Sequence, residues 1–169
     1  MLPESVASKL LEVRSTPGLN LKPNEYLRET FKGLDGKEKP LVIRDYQAQM
    51  IVSLAIMNRF VVGDDCGLGK TLEVIASLTY LWSKNPDTKV VVLTTKSAIQ
   101  QWADEVHRFT KGVHAYPCTG TPKQREKSRD SFLKDTGPSV LIMGYRTAVQ
   151  DFTAIQKWKG FVFIAESKR

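Results

Sequence analysis

At 169 residues the chain is long enough for one domain with a substantial core and too short for two full-sized ones. Its hydrophobic (41%) and charged (25%) fractions are those of an ordinary globular protein, which excludes disorder throughout, and no apolar run approaches the roughly 20 residues that cross a bilayer. The net charge of +7, from 25 Lys and Arg against 18 Asp and Glu, favours polyanionic partners such as DNA or RNA without establishing one.

The opening MLPESVASKL lacks the basic region and long apolar stretch of a secretory signal, so the expected location is cytoplasmic, or nuclear in a eukaryote, with no membrane partner. Cys66 and Cys118 lie far apart and fit neither a disulfide scaffold nor a zinc site; two reduced thiols are expected. His107 and His114 have no companion ligands at metal spacing and read as surface or core histidines.

Residues 1–40 differ from the rest. Short amphipathic stretches, Val6 to Val13 and Tyr26 to Leu34, are separated by Pro17, Gly18 and Pro23 and closed by the polar run Lys37 to Pro40. They read as a small, mostly helical appendage. From Leu41 a regular alternation begins. Asp45 to Arg59 reads as a helix, with Tyr46, Met50, Leu54 and Met57 at helical spacing, and Phe60 to Val62 as a short buried strand. Lys70 to Ser83 is helical again, with Leu72, Ile75, Leu78 and Trp82 on one face. Val90 to Leu93 is a β-branched run, the mark of a strand covered on both faces.

Ser97 is placed to cap the next helix, whose Ile99, Trp102, Val106 and Phe109 form a stripe that puts Trp102 in the core. A strand near Val113 to Tyr116, a charged helix from about Pro122 to Leu133, and a strand from Val140 to Met143 follow. A helix near Arg146 to Lys157 and a last strand from Phe161 to Ala165 complete the series. Strands alternating with helices mean a parallel α/β sheet with right-handed crossovers, and ligands sit at the carboxyl ends of its strands.

Phe60-Val-Val-Gly-Asp-Asp-Cys-Gly-Leu-Gly-Lys-Thr-Leu72 is a strand, a glycine-containing loop and a helix start, the context of a phosphate loop. Gly67 and Gly69 let backbone N–H groups turn inward around an anion with no Cβ in the way. Lys70 can reach the β- and γ-phosphates of a nucleotide, the Thr71 hydroxyl can join a Mg²⁺ shell, and the following helix points its positive end at the phosphates. Asp64 stands where the generic pattern has glycine. A chance Gly-Leu-Gly-Lys-Thr at a helix start competes with this reading, as does a small-metabolite kinase, which would normally keep that glycine and would need a substrate lid with arginines.

The neighbours of the loop narrow the choice. Asp64-Asp-Cys-Gly-Leu-Gly-Lys-Thr71 resembles the Asp-Glu-Met-Gly-Leu-Gly-Lys-Thr loop of the Swi/Snf-like branch of superfamily 2, the chromatin-remodeller-like DNA translocases, in which Asp at position 64 is expected. Upstream, Ile43-Arg-Asp-Tyr-Gln47 is similar to that group's Leu-Arg-x-Tyr-Gln segment, whose glutamine reads adenine; an amide donates and accepts, matching the adenine N6/N7 edge. The resemblance implies an N-terminal RecA-like lobe over residues 41–169 that binds ATP and Mg²⁺ through Arg44, Gln47, Asp64, Gly67, Leu68, Gly69, Lys70, Thr71 and Leu72.

Val92-Leu-Thr-Thr-Lys-Ser-Ala-Ile-Gln-Gln-Trp102 looks like the family's motif Ia, with Lys96 where proline is usual. In relatives this loop touches the DNA backbone, and Thr95, Lys96 and Ser97 have suitable chemistry. Thr119-Gly-Thr-Pro-Lys-Gln-Arg125 is similar to a glycine-then-arginine segment, which adds Gly120 and Arg125 as contacts. The run Lys123, Arg125, Lys127 and Arg129 reads as a face turned to DNA or, at least equally, as a solvated helix face. Val140-Leu-Ile-Met-Gly-Tyr-Arg-Thr147 resembles motif Ib, adding Tyr145, with Gly144 where serine is common. The implied track is duplex DNA in preference to RNA.

The resemblance departs at the family's next motif, an Asp-Glu-x-His box after the fourth core strand, whose aspartate holds Mg²⁺ and whose glutamate orients the attacking water. Here Phe161-Val-Phe-Ile-Ala165 is followed by Glu166-Ser-Lys-Arg169. Aligned on the strand, Glu166 takes the aspartate's place and Ser167 the glutamate's; shifted by one, Ala165 and Glu166 do. Either way one carboxylate, Glu166, remains for metal binding and catalysis beside Lys70. The expected entity is an incomplete motor: an ATP-binding lobe without its second RecA-like lobe, supplied in cis or in trans, and nearly inactive in hydrolysis by itself. A catalytically dead single-lobe module for nucleic acid or partner docking is the alternative.

Overall fold

The computed structural model describes residues 24–33, 35–56 and 69–166. Strands β1 (Thr30–Lys32) and β2 (Glu38–Pro40) pair antiparallel, Phe31 opposite Lys39. The described part of the segment expected to be mostly helical is therefore extended. Leu27 and Phe31 stand four apart, as on a helix face, but Gly33 and Gly36 (φ 73°) allow the chain to turn back, and pairing partners come from far along the sequence. Leu27 bridges Thr110, the Arg28 N–H donates to the Phe109 carbonyl at 2.9 Å, and the Arg28 Nε donates to the Thr110 carbonyl at 2.7 Å.

Helix α1 (Asp45–Ile56) opens with half a capping box. Gln47, its third residue, turns back so that its Oε1 accepts the Arg44 backbone N–H at 3.1 Å. The expected continuation of this helix over 57–59, the expected strand over 60–62 and residues 1–23 all lie outside the described residues. Helix α2 (Lys70–Lys84) packs on α1 through Ile51, Ala76 and Leu27.

Strand β3 (Lys89–Thr94) is followed by a single 3-10 turn, Lys96–Ala98, and helix α3 (Ile99–Phe109). Ser97 does not cap that helix: it lies inside the 3-10 turn, with its hydroxyl 3.2 Å from that of Thr95. Strand β4 (His114–Cys118) leads to helix α4 (Pro122–Lys134), which carries a complete capping box between Thr121 and Gln124 with proline in the first turn. After strand β5 (Ser139–Gly144), the single helix expected near Arg146 to Lys157 is instead two short ones, α5 (Tyr145–Gln150) and α6 (Phe152–Ile155), before strand β6 (Val162–Ala165). The break falls at Asp151, whose carboxylate is held by Arg125 and Arg129 of α4.

The four strands β3 to β6 form a parallel sheet in the order β4-β5-β3-β6. Successive residues of β3 and β5 serve opposite faces. Val90, Val92, Val140 and Ile142 meet Ile75, Leu78 and Trp82 of α2 and Ile99, Trp102 and Val106 of α3. Val91, Leu141 and Met143 meet Cys118, Phe132 and Ile155 on the other. Both faces are covered at β3 and β5, which is why these two strands are continuous apolar runs, whereas β6 leaves Phe163 exposed; each fully buried aliphatic side chain contributes roughly 1.5–3 kcal/mol. This is an α/β RecA-like arrangement, and it brings Thr94, Cys118, Gly144 and Ala165 to one edge.

Candidate functional site

Helix α2 begins at Gly69, whose φ of 87° is left-handed and which has no side chain to cap the first turn. Lys70, Thr71 and Leu72 form that turn and are half-buried. The N-terminal N–H groups of a helix favour an anion, and a lysine and a threonine stand beside them. A β-carbon at Gly69 would lie 2.9 Å from the Gln47 Nε2, so the glutamine from α1 and the glycine before α2 are in close approach. Gln47 is buried; Arg44 is exposed, with its Nη1 3.3 Å from the Tyr46 hydroxyl. Asp64, Gly67 and Leu68 lie outside the described residues.

At the carboxyl edge, the register places Leu93 opposite both Met143 and Ala165, and the Glu166 N–H donates to the Leu93 carbonyl at 2.9 Å. The Glu166 side chain turns toward α3. Its Oε2 accepts the Thr94 hydroxyl at 2.5 Å and the Trp102 indole N–H at 2.9 Å. The Tyr145 hydroxyl donates to the Glu166 backbone carbonyl, and burial followed by the Glu166 charge pushes that phenol's pKa up. Ser167 lies outside the described residues.

Lys96 and Ser97 are exposed on the turn just beyond β3, with Thr95 half-buried beside them, and Gly120 (φ 86°) and Tyr145 are exposed past β4 and β5. These positions share the strand-end edge with Glu166. Arg125 is differently placed. Its Nε and Nη2 each donate to Asp151 at 3.1 Å and its Nη1 to the Gly120 carbonyl at 3.1 Å, leaving the side chain 12% exposed. Arg129 joins the same carboxylate. Arg125 thus anchors the Gly120 turn and the α5–α6 junction.

Mg²⁺ prefers hard oxygen donors and is held by one or two carboxylates together with substrate phosphates. The chain offers the Thr71 hydroxyl on α2 and, at the strand-end edge, a Glu166 carboxylate whose Oε1 accepts no hydrogen bond among the described residues; both are oxygen donors of the kind this ion takes. The apolar stripe of α3 predicts Trp102 in the core, where it sits at 4% exposure, but does not show that it and Thr94 hold Glu166. A buried indole N–H requires an acceptor, and that requirement is the signal the sequence carries.

The model of the SNF2-related domain family matches residues 47–168. The chain is 26% identical over 129 residues to the mouse (Mus musculus) chromodomain-helicase-DNA-binding protein 1-like, covering 73% of this chain and 14% of that protein. It is 34% identical over 109 residues to the chromatin-remodeling ATPase INO80 of Cryptococcus neoformans, covering 59% and 6%. It is 31% identical over 115 residues to the ATP-dependent DNA helicase DDM1 of Arabidopsis thaliana, covering 64% and 15%. The chain therefore spans about a seventh or less of the length of these relatives. With most of its length matched by the family model, the chain belongs to the SNF2-related domain family.

Proposed function

We propose that this chain is the ATP-binding lobe of an ATP-dependent DNA translocase. The observation that carries the reading is the approach of Gln47 to Gly69 at the start of α2, in a chain of the SNF2-related family. Gln47 is the adenine-side residue, with its Oε1 fixed by the Arg44 N–H and its amide nitrogen turned toward the phosphate-loop end. Lys70 and the N-terminal N–H groups of α2 neutralise the phosphates. Thr71 and Glu166 hold Mg²⁺, which supplies charge neutralisation on the bound phosphates.

Thr95, Lys96, Ser97, Gly120 and Tyr145 line the edge that meets the nucleic-acid backbone. Relatives named as a DNA helicase and a helicase-DNA-binding protein support DNA as the track, which we take to be duplex, and those named for chromatin remodelling support a nuclear setting. No helix among the described residues is long and apolar enough to cross a membrane. A second RecA-like lobe, in cis or in trans, supplies the arginine finger, worth about 10³–10⁵ in rate in well-studied cases, so these residues alone bind nucleotide and turn it over slowly.

The test is a titration with a fluorescent ATP analogue and Mg²⁺, with and without duplex DNA, on the chain and on Lys70→Ala. A loss of about 10- to 100-fold in the variant, roughly the worth of one charged hydrogen bond, is expected. Equal binding by both proteins would overturn the reading in favour of a docking module that does not use nucleotide. Robust DNA-stimulated turnover by the chain alone would overturn the need for a second lobe.

A further inference from the structure

We infer that Thr94 and Trp102 are positioning residues for Glu166, and that they tie the carboxylate proposed to hold metal to the turn proposed to meet nucleic acid. The inference rests on the proposed function for its purpose, but the seat itself is geometric. Both hydrogen bonds fall on one oxygen, Oε2, at 2.5 Å from the Thr94 hydroxyl and 2.9 Å from the Trp102 indole nitrogen. With that oxygen anchored, Oε1 points in a fixed direction, and it accepts no hydrogen bond among the described residues. On the backbone side, the Glu166 N–H is held by Leu93 and the Glu166 carbonyl by Tyr145. The residue is clamped at its amide, its carbonyl and one carboxylate oxygen.

The seat is costly to vacate. Thr94 is wholly buried and Trp102 nearly so, and a hydroxyl or indole N–H that loses its acceptor inside a protein is left unsatisfied. Thr94 is the last residue of β3 and Trp102 lies in the first turn of α3. Between them runs the stretch that contains Thr95, Lys96 and Ser97, so both ends of that short segment are fastened to Glu166. Partners of this kind, hydrogen-bonded behind a ligating carboxylate, typically contribute about 10- to 100-fold in metal affinity.

The experiment measures the Mg²⁺ concentration that half-saturates binding of the fluorescent ATP analogue, in the chain and in Thr94→Val, Thr94→Ser and Trp102→Phe. It also records the indole N–H resonances of Trp82, Trp102 and Trp158 in ¹⁵N-labelled protein, with Trp102→Phe assigning its peak. Thr94→Val and Trp102→Phe are expected to raise the Mg²⁺ requirement about tenfold or more, and Thr94→Ser, which keeps the hydroxyl, to restore it. Glu166→Gln should shift the Trp102 indole and leave those of Trp82 and Trp158 in place. If Trp102→Phe fails to fold, Thr94→Val carries the affinity arm. Thr94→Val with an unchanged Mg²⁺ requirement, or a Trp102 indole indifferent to Glu166→Gln, would overturn the inference. A chain that binds no nucleotide at any Mg²⁺ concentration would instead sink the proposed function, while the indole shifts, which need no nucleotide, still decide whether the seat exists.

Discussion

The Gln47 side chain closes over Gly69 so tightly that a β-carbon at position 69 would stand 2.9 Å from its Nε2. Two constraints meet there. The φ of 87° belongs to the left-handed region that disfavours any side chain, and the space a side chain would take is already occupied.

Gly69→Ala should therefore cost about 1–2 kcal/mol from backbone strain alone, read as a shift in denaturation midpoint, and weaken nucleotide binding. The Gln47→Ala, Gly69→Ala double variant removes the crowding but keeps the strain, so it should recover stability only in part. Full recovery would show that crowding was the whole effect. Gln47→Ala alone should reduce the preference for adenine over guanine nucleotides, measured by competition between ATP and GTP.

Arg125 offers a contest between two roles. With its guanidinium paired to Asp151 and to the Gly120 carbonyl, Asp151→Asn should lower the melting temperature, because two guanidinium groups lose their counter-charge. Arg125→Ala should show a similar loss in thermal unfolding. A residue that held a DNA phosphate would instead lower the salt dependence of DNA binding by about one unit of slope with stability unchanged. The geometry favours the first outcome.

The α/β core is legible in the sequence because its signals are local: the β-branched run Val90 to Val92 and the stripe from Ile99 to Phe109 state their own period. The hairpin is not, because Leu27 and Phe31 mimic a helix face while the bonds that fix the backbone come from Thr110, 82 residues beyond Arg28. The split between α5 and α6 has the same origin, since the arginines that hold Asp151 sit 22 and 26 residues earlier. The proposed phosphate loop is a pattern of residue types written in consecutive positions, and of it Gly69, Lys70, Thr71 and Leu72 fall among the described residues. The Glu166 seat joins positions 72 and 64 residues apart, and no local pattern announces it.

A pH dependence follows from Asp135, at the end of α4. Burial pushes its pKa up, but hydrogen bonds from the Gly137 N–H, the Tyr116 hydroxyl and His114 outweigh this and hold it below the ordinary carboxylate value. The Tyr116 phenol is pushed up to about 12, first by burial, then by the hydrogen bond it donates to Asp135 and by that group's charge. The carboxylate's contribution to stability is present above its unfolded pKa and fades as pH falls through the lowered folded one. The phenol's is complete below its ordinary value of 10.0 and is lost as pH rises from there towards 12. Urea denaturation across pH should show both limbs, and Asp135→Asn should flatten them. An alkaline limb that persists unchanged in Asp135→Asn would mean burial alone governs Tyr116.

Gly144, where the resemblance to motif Ib leads one to expect serine, has room for one. Its φ of −77° suits any residue, and a β-carbon would meet the Thr147 hydroxyl at 3.7 Å, Ile99 at 3.8 Å and the Thr94 carbonyl at 3.9 Å, all ordinary contacts. It also precedes α5 as the capping position, and no side chain there bonds the helix. Gly144→Ser should stabilise the chain by about 0.5–1 kcal/mol, from lower unfolded-chain entropy and a few tenths for the new cap. That corresponds to a rise of about 1–4 °C in melting temperature for a domain of this size. The substitution lies beside Thr94, opposite it in the β3–β5 register, so it also probes the Glu166 seat. If the new hydroxyl competes for Thr94, the Trp102 indole resonance will move with the rise in stability; if it caps α5 alone, stability will rise and the indole will stay where it is.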